Sequence, residues 1–176
     1  MMSNLFTRTQ LSSRNYGVAF FAGIMGGLVS AFVKSGTEGI MPPRTPDRIA
    51  PPIQMIQDMG IDIHSMVYTY SDQVVNWGGS TIHILFSIVW AIIYCMAAEI
   101  FPKVKLWQGL AFGIGVTILF HGIMLPVLNL SPAPWNLPFD ELLSELVGTL
   151  LWMWTIEIFR RDLRNRLTEK PDPEFQ

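Results

Sequence analysis

The ionisable side chains inside long apolar runs of the sequence include His83, His121, Glu141 and Glu145. Charged groups are costly in a bilayer, so such residues usually face protein or water and mark proton relays or ion paths. Histidine ordinarily changes charge between about pH 5 and 8. A nearby carboxylate favours its protonated form, whereas burial opposes it. The four residues therefore suit proton-responsive chemistry if the fold brings them together.

The apolar runs have the length of membrane-spanning helices. Residues 80–101 hold one formal charge, Glu99, and can cross a hydrocarbon core of ~30 Å as a helix. Similar runs predict four spans, at residues 16–33, 80–101, 106–128 and 139–159. Only 15% of residues are charged, against about a quarter in soluble domains. The predicted fold class is an all-α membrane protein with one domain over 1–176. The alternative for the first run, a cleaved signal peptide, needs a shorter apolar stretch.

Counting along the helices places the four residues at one end of the bundle. His121 lies seven residues before the end of the third span, and Glu145 lies six residues after the start of the fourth. At 1.5 Å per residue, both lie roughly 10 Å below the same surface. His83 lies at a shallower level, and Glu141 lies one turn above Glu145. Two interpretations stay open, a proton-responsive site or a hydrogen bond that only fixes helix pairing.

Small residues at four-residue spacing predict close helix packing, because they let two backbones approach. The rows are Ala19, Gly23, Gly27 and Ala31 in the first span, and Gly109 and Gly113 in the third. The first row can face another span of the same chain or a second copy. One small four-helix bundle encloses little beyond side chains. A pore would need several copies, so we expect a homo-oligomer.

Two further glutamates lie near the opposite end of the spans. Glu99 precedes Lys103 by four residues, and Glu157 precedes Arg161 by four. This spacing predicts an ion pair on one helix in each case.

Basic residues outside the spans divide nine to three. The nine are Arg8, Arg14, Lys103, Lys105, Arg160, Arg161, Arg164, Arg166 and Lys170, and the three are Lys34, Arg44 and Arg48. Basic residues concentrate on the cytoplasmic side of membrane proteins. Both termini and the basic tail 160–176 are therefore predicted to be cytoplasmic, and the loop 34–79 periplasmic.

The loop 34–79 changes character along its length. Its first half is rich in proline, which excludes a continuous helix. A short helix is predicted from Ile53 to Met59. From Ile63 to Trp77, apolar residues recur at helical spacing and predict an amphipathic helix of about four turns, ended by Gly78 and Gly79. Such a helix can lie on the membrane surface or pack on the bundle.

Sequence motifs for catalysis are lacking. The chain has no P-loop, HExxH or GxSxG motif, and its one cysteine, Cys95, excludes an intramolecular disulfide. Asp62 and His64 form only a loose acid–histidine pair. We predict no enzyme activity, no cofactor and no metal site. The net charge of −2 gives no sign of nucleic-acid binding, so the expected partners are the lipid bilayer and further copies of the chain.

Several runs resemble a known family. They are SAFVK (30–34), PPR (42–44), VYTY (67–70), NW (76–77), YC (94–95), AEIFPK (98–103), KLWQG (105–109), IEIFRRDLRNR (156–166) and PDPE (171–174). Over nearly its whole length the chain resembles the YagU family of small bacterial inner-membrane proteins. The resemblance implies a multi-pass inner-membrane protein linked to acid resistance, without a known mechanism or catalytic residues.

Two classes of function follow. One is an oligomeric channel or transporter that is proton-linked or opened by acid. The other is a non-conducting membrane module that organises partners or senses pH.

Overall fold

The computed structural model describes residues 6–170 and 172–173. The first five residues of the N-terminal tail, and residues 171 and 174–176 of the predicted basic tail, lie outside this range. The described elements are the helices α1 (Tyr16–Ile40), α2 (Pro51–Asp58), α3 (Trp77–Ile100), α4 (Leu110–Thr117), α5 (Leu125–Val127) and α6 (Phe139–Thr168), and the strands β1 (Val67–Tyr70) and β2 (Gln73–Asn76). Four helical stretches are long and apolar enough to cross a membrane: α1, α3, α6 and the run Leu110–Val127. The predicted class, an all-α membrane protein with four spans, is confirmed.

Helix α1 lies between α3 and α6 and packs closely on both. A Cβ atom built on Gly23 would lie 2.6 Å from the Cα of Ile92, and one on Gly27 would lie 2.6 Å from the Cα of Ile88. Only glycine permits this approach of two backbones. Of the two partners considered for the small-residue row, the structure shows α3 of the same chain. These glycines are therefore covered within the chain, and the homo-oligomer stays a prediction.

A buried polar contact joins the three helices near the middle of the bundle. The Ser87 hydroxyl on α3 donates to the Gly27 carbonyl at 2.6 Å, and it accepts a hydrogen bond of 2.6 Å from the Trp152 indole on α6. The Ser30 hydroxyl lies 3.0 Å from the Ser87 hydroxyl oxygen. Polar groups in an apolar interior need partners, so this contact fixes how the helices are aligned along their axes.

The third span is made of α4, a π-helical segment (Ile118–Met124) and α5. Gly109 precedes it with a left-handed φ of 83°, and Gly113 lies against Met153 of α6. The span is the least covered of the four, with 11% of its apolar window buried against 39% for α1. Most of its surface therefore faces lipid or another molecule.

The predicted amphipathic helix between Ile63 and Trp77 is wrong. A short 3-10 turn (Ile63–Met66) leads into an antiparallel hairpin of β1 and β2, with Val67 opposite Asn76. Ser71 and Asp72 both have positive φ, as a two-residue hairpin turn requires. The valines and aromatic residues here favour a strand locally, and that preference outweighs the helical spacing. Glycines 78 and 79 do not end a helix but begin α3, whose N-terminus is capped by the Asn76 side chain. The short predicted helix at Ile53–Met59 is present as α2.

Candidate functional site

The candidate site lies at the loop end of the bundle, where the 41–76 and 128–138 connections meet the spans. The Lys34 ammonium on α1 donates to Glu145 Oε1 on α6 at 2.6 Å. His121 Nε2, from the third span, lies 2.9 Å from the same oxygen. The side chains of Glu145 and Lys34 are 13% and 12% exposed, and that of His121 is 31% exposed. One carboxylate oxygen thus joins three spans, and the predicted neighbours His121 and Glu145 are in contact.

Lys34 reaches this site because α1 continues to Ile40, beyond the predicted end of the span at residue 33. The predicted loop 34–79 includes Lys34, so the role of this residue in the site is a finding of the structure. A signal was present, since Lys34 and Glu38 have the spacing of a helical ion pair, and their charged atoms lie 3.2 Å apart. Lysine also has a stem long enough to bring its charge away from an apolar helix face.

The π-helical segment positions His121. Within it the Leu125 N–H donates to the Phe120 carbonyl, five residues earlier. Pro126 follows and has no N–H to donate. The helix widens where its regular hydrogen bonding is interrupted, and His121 lies at the centre of the wide segment. Such segments occur frequently at functional sites.

The other two predicted residues have different surroundings. Glu141 forms an ion pair with Arg48 of the loop, and the nearby Ser144 hydroxyl donates to the Met41 carbonyl. These contacts hold the loop against α6. His83 is partly buried, within electrostatic range of Lys34 and Glu145, but among the described residues it makes no hydrogen bond or ion pair. The structure thus places His83 beside the site and Glu141 in a separate pair.

A cavity of about 470 Å³ lies over the site. Glu145, His121 and Glu141 line its floor, while Arg44 and Arg48 come from the loop above. The volume falls in the range of small-molecule pockets, roughly 300–1,000 Å³. The contact between His121 and Glu145 therefore borders this cavity.

At the opposite end, here called the tail end, both predicted ion pairs are wrong. The Arg164 Nε donates to Glu99 at 2.6 Å, whereas Lys103 lies beyond the end of α3 at Ile100, so no helical spacing relates it to Glu99. The Glu157 carboxylate accepts two hydrogen bonds from Arg160, of 2.6 and 2.8 Å. Arg160 is buried against the bundle while Arg161 is exposed. Glu157 therefore pairs with Arg160, three residues later, and not with Arg161, four residues later.

Two more residues, not predicted from the sequence, bind the charged groups of the tail end. The Tyr94 hydroxyl donates to Glu157 at 2.8 Å, and Asp172 accepts hydrogen bonds from Arg160 and Lys105. No local spacing signals these contacts, because they join segments that are distant in the chain. The loosely paired Asp62 and His64 have a simple role, in that the Asp62 carboxylate accepts from the backbone N–H of His64 and caps a turn.

Four long apolar helices with ionic clusters at both ends define a multi-pass membrane protein. The family model described as "Protein of unknown function (DUF1440)" matches residues 28–158, and the chain belongs to this family. It is 43% identical to the inner membrane protein YagU of Escherichia coli (strain K12), over 98% of this chain and 97% of that protein. The aligned region spans 198 residues, more than the 176 residues of this chain, so the relative holds residues that this chain lacks. No solved structure matches. The predicted YagU family is confirmed, and the chain is a multi-pass inner membrane protein.

Proposed function

We propose that the protein is a non-conducting inner-membrane module that responds to periplasmic acid and contributes to acid resistance. The observation that carries the proposal is the sharing of one Glu145 oxygen between Lys34 and His121 beneath a cavity. The nine-to-three division of basic residues supports a periplasmic position for this end and cytoplasmic termini. No enzyme activity is part of the proposal.

The chemistry follows from the charges of the three side chains. With neutral His121, the Lys34 ammonium and the Glu145 carboxylate cancel. Protonation of His121 adds one positive charge to these three side chains. The imidazolium then binds Glu145 more strongly and repels Lys34. Glu38, 3.2 Å from the same ammonium, is the alternative partner. Acid therefore transfers Lys34 from Glu145 to Glu38 and loosens α1 from α6 at this end.

Matched variants of the purified protein in nanodiscs test this proposal. We expect the thermal unfolding temperature of the parent to change between pH 7.5 and pH 5, and His121→Gln to remove most of that change. His64→Gln is the control, since His64 is an exposed loop histidine. Survival of cells at acid pH should fall for His121→Gln and Glu145→Gln and stay at the parent level for His64→Gln. Equal pH responses and equal survival for all variants, at equal expression, would refute the proposal.

A homo-oligomeric, pH-responsive channel or transporter is the second candidate. The exposed apolar surface of the third span, with Ile118, Ile123 and Val127 at 50–71% exposure, offers room for a second copy. The centre of a single bundle is filled by Ala91, Met153 and Ile156, all fully buried. Conduction would therefore require a path between copies. Native mass measurement in nanodiscs and proton flux into liposomes separate the candidates, since a monomer without flux leaves the non-conducting module.

A further inference from the structure

Six charged side chains lie together at the tail end, and five of them are buried. The cations Lys105, Arg160 and Arg164 are 6%, 1% and 2% exposed. The carboxylates of Glu99 and Glu157 are buried as well, and the side chain of Asp172 is 14% exposed. Charges with so little contact with water are stable only when they are paired and hydrogen-bonded. The net charge of these six side chains therefore decides which ligands this end of the bundle can bind.

Without the C-terminal segment, the charges of this cluster do not sum to zero. Glu99 neutralises Arg164 and Glu157 neutralises Arg160. Lys105, in the turn between the second and third spans, remains. Its hydrogen-bond acceptors are Asp172 Oδ2 at 2.7 Å and the Pro173 carbonyl. Without Asp172, the cluster would hold three cations and two anions.

The balancing carboxylate comes from outside the bundle. Helix α6 ends at Thr168, Glu169 adopts a left-handed φ of 54°, and the chain turns back so that Asp172 meets the cluster. All hydrogen bonds and ion pairs described for residues 172–173 go to Lys105, Arg160 and Arg164. The C-terminal segment therefore docks through a carboxylate that fills a cationic site.

The donor arrangement resembles an oxyanion site. Arg160 donates Nη1 to Oδ1 at 3.0 Å and Nη2 to Oδ2 at 2.6 Å, and the Lys105 ammonium adds a third hydrogen bond. A planar guanidinium that grips two oxygens, together with an ammonium, is the donor set that proteins use for carboxylate and phosphate groups.

We infer that Lys105, Arg160 and Arg164 form an anion-binding site that Asp172 occupies as an internal ligand, and that a phosphate group takes its place when the C-terminal segment is released. Phosphate presents several oxygens in the geometry that the guanidinium already binds, and its charge restores neutrality. The phosphate can belong to a lipid headgroup or be free in solution. This site lies at the end opposite His121 and does not depend on the proposed acid response.

The electrostatics agree with a strongly held internal ligand. Burial raises the pKa of the Asp172 carboxyl, but the hydrogen bonds from Arg160 and Lys105 outweigh burial and hold that pKa below its ordinary value. Burial lowers the pKa of the Lys105 ammonium, although Asp172 opposes this change. Each partner thus depends on the other for its charge.

The test compares Asp172→Asn with Asp162→Asn, whose carboxylate makes an exposed ion pair with Arg166. Both full-length variants are solubilised in a maltoside detergent, which carries no phosphate, and unfolded by heat, with inorganic phosphate titrated against chloride of equal ionic strength. We expect Asp172→Asn to unfold roughly 5 °C or more below the parent and to regain at least half of that loss as phosphate saturates. The parent and Asp162→Asn should not respond. Phosphatidylglycerol added to the micelles without free phosphate identifies a lipid source if it restores Asp172→Asn and not Asp162→Asn, and a free-phosphate source if it does not.

A second variant keeps the inference open to refutation. The double variant Lys105→Met with Asp172→Asn removes the surplus cation along with its carboxylate, so we expect it to recover stability and lose the phosphate response. An Asp172→Asn protein as stable as the parent overturns the inference, as does an equal phosphate effect on Asp162→Asn. If Asp172→Asn cannot be purified, the double variant decides, because a double variant that also fails to fold shows that surplus charge is not the cause.

Discussion

Replacement of Gly27 by alanine is the sharpest test of the described packing. The added Cβ would lie 2.6 Å from the Cα and 3.0 Å from the backbone nitrogen of Ile88, and backbone atoms cannot rotate away. Helices α1 and α3 must therefore separate locally, which also disturbs the hydrogen bond from Ser87 to the Gly27 carbonyl. Overpacking costs roughly 1–3 kcal/mol, and weakening a buried hydrogen bond costs roughly 1 kcal/mol more. We expect a total loss of about 2–4 kcal/mol in unfolding free energy.

Gly36→Ala is the matched control for this prediction. Gly36 lies in the same helix, and nothing lies within 4 Å of a Cβ built on it. Alanine is favoured over glycine inside a helix by up to about 1 kcal/mol, so this variant should be as stable as the parent or slightly more stable. The assay is reversible unfolding of both proteins in the same detergent or nanodisc. If Gly27→Ala and Gly36→Ala unfold with equal free energies, the close contact between α1 and α3 is wrong.

Two further outcomes follow from the buried polar groups. Ser87→Ala leaves the Trp152 indole N–H without its acceptor and should lower the unfolding free energy by about 1–3 kcal/mol, whereas Ser80→Ala, near the exposed start of α3, should have little effect in the same assay. The Asp172 carboxyl has a pKa below its ordinary value of 3.8, so its contribution is complete above that value and is lost only as pH falls through the lower folded-state pKa. The destabilisation by Asp172→Asn should therefore be the same at pH 5 and pH 7.5, and a loss that shrinks at pH 5 would contradict this reading.

Helix geometry explains why the sequence predicts the loop-end contact so closely. The rise per residue is fixed, and a short connection makes the third and fourth spans antiparallel neighbours. Seven residues back from one end and six forward from the other therefore bring His121 and Glu145 to the same depth. Lys34 escapes this reasoning because its membership of the site depends on where α1 ends. A charged residue at the end of an apolar run does not by itself show where the helix ends.

The failed predictions have two physical causes. Apolar residues from Ile63 to Trp77 recur at helical spacing. The same segment contains the strand-forming run Val-Tyr-Thr-Tyr, followed by Ser-Asp, which suits a turn. The segment fits both a helical and a strand periodicity, and its sequence does not show which of its faces contacts the rest of the protein. The predicted ion pairs of Glu99 and Glu157 are wrong for a different reason. A buried carboxylate requires full pairing, which Glu99 obtains from the distant Arg164 and Glu157 from Arg160, a buried neighbour on the same helix.

The chemistry of the two ends differs in a way that confines the proposed acid response to one of them. Among the described ionic contacts at the tail end, every cation is an arginine or a lysine, and the bound carboxylates are paired. Moderate acid changes none of the arginine charges, and Asp172 keeps its charge because its pKa is lowered. At the loop end, one histidine shares a carboxylate oxygen with a lysine that has a second acid within reach. Between the ends, Ser87 and the glycines of α1 hold the helices in contact. An acid-driven movement should therefore open the loop end about a fixed middle while the tail end stays closed.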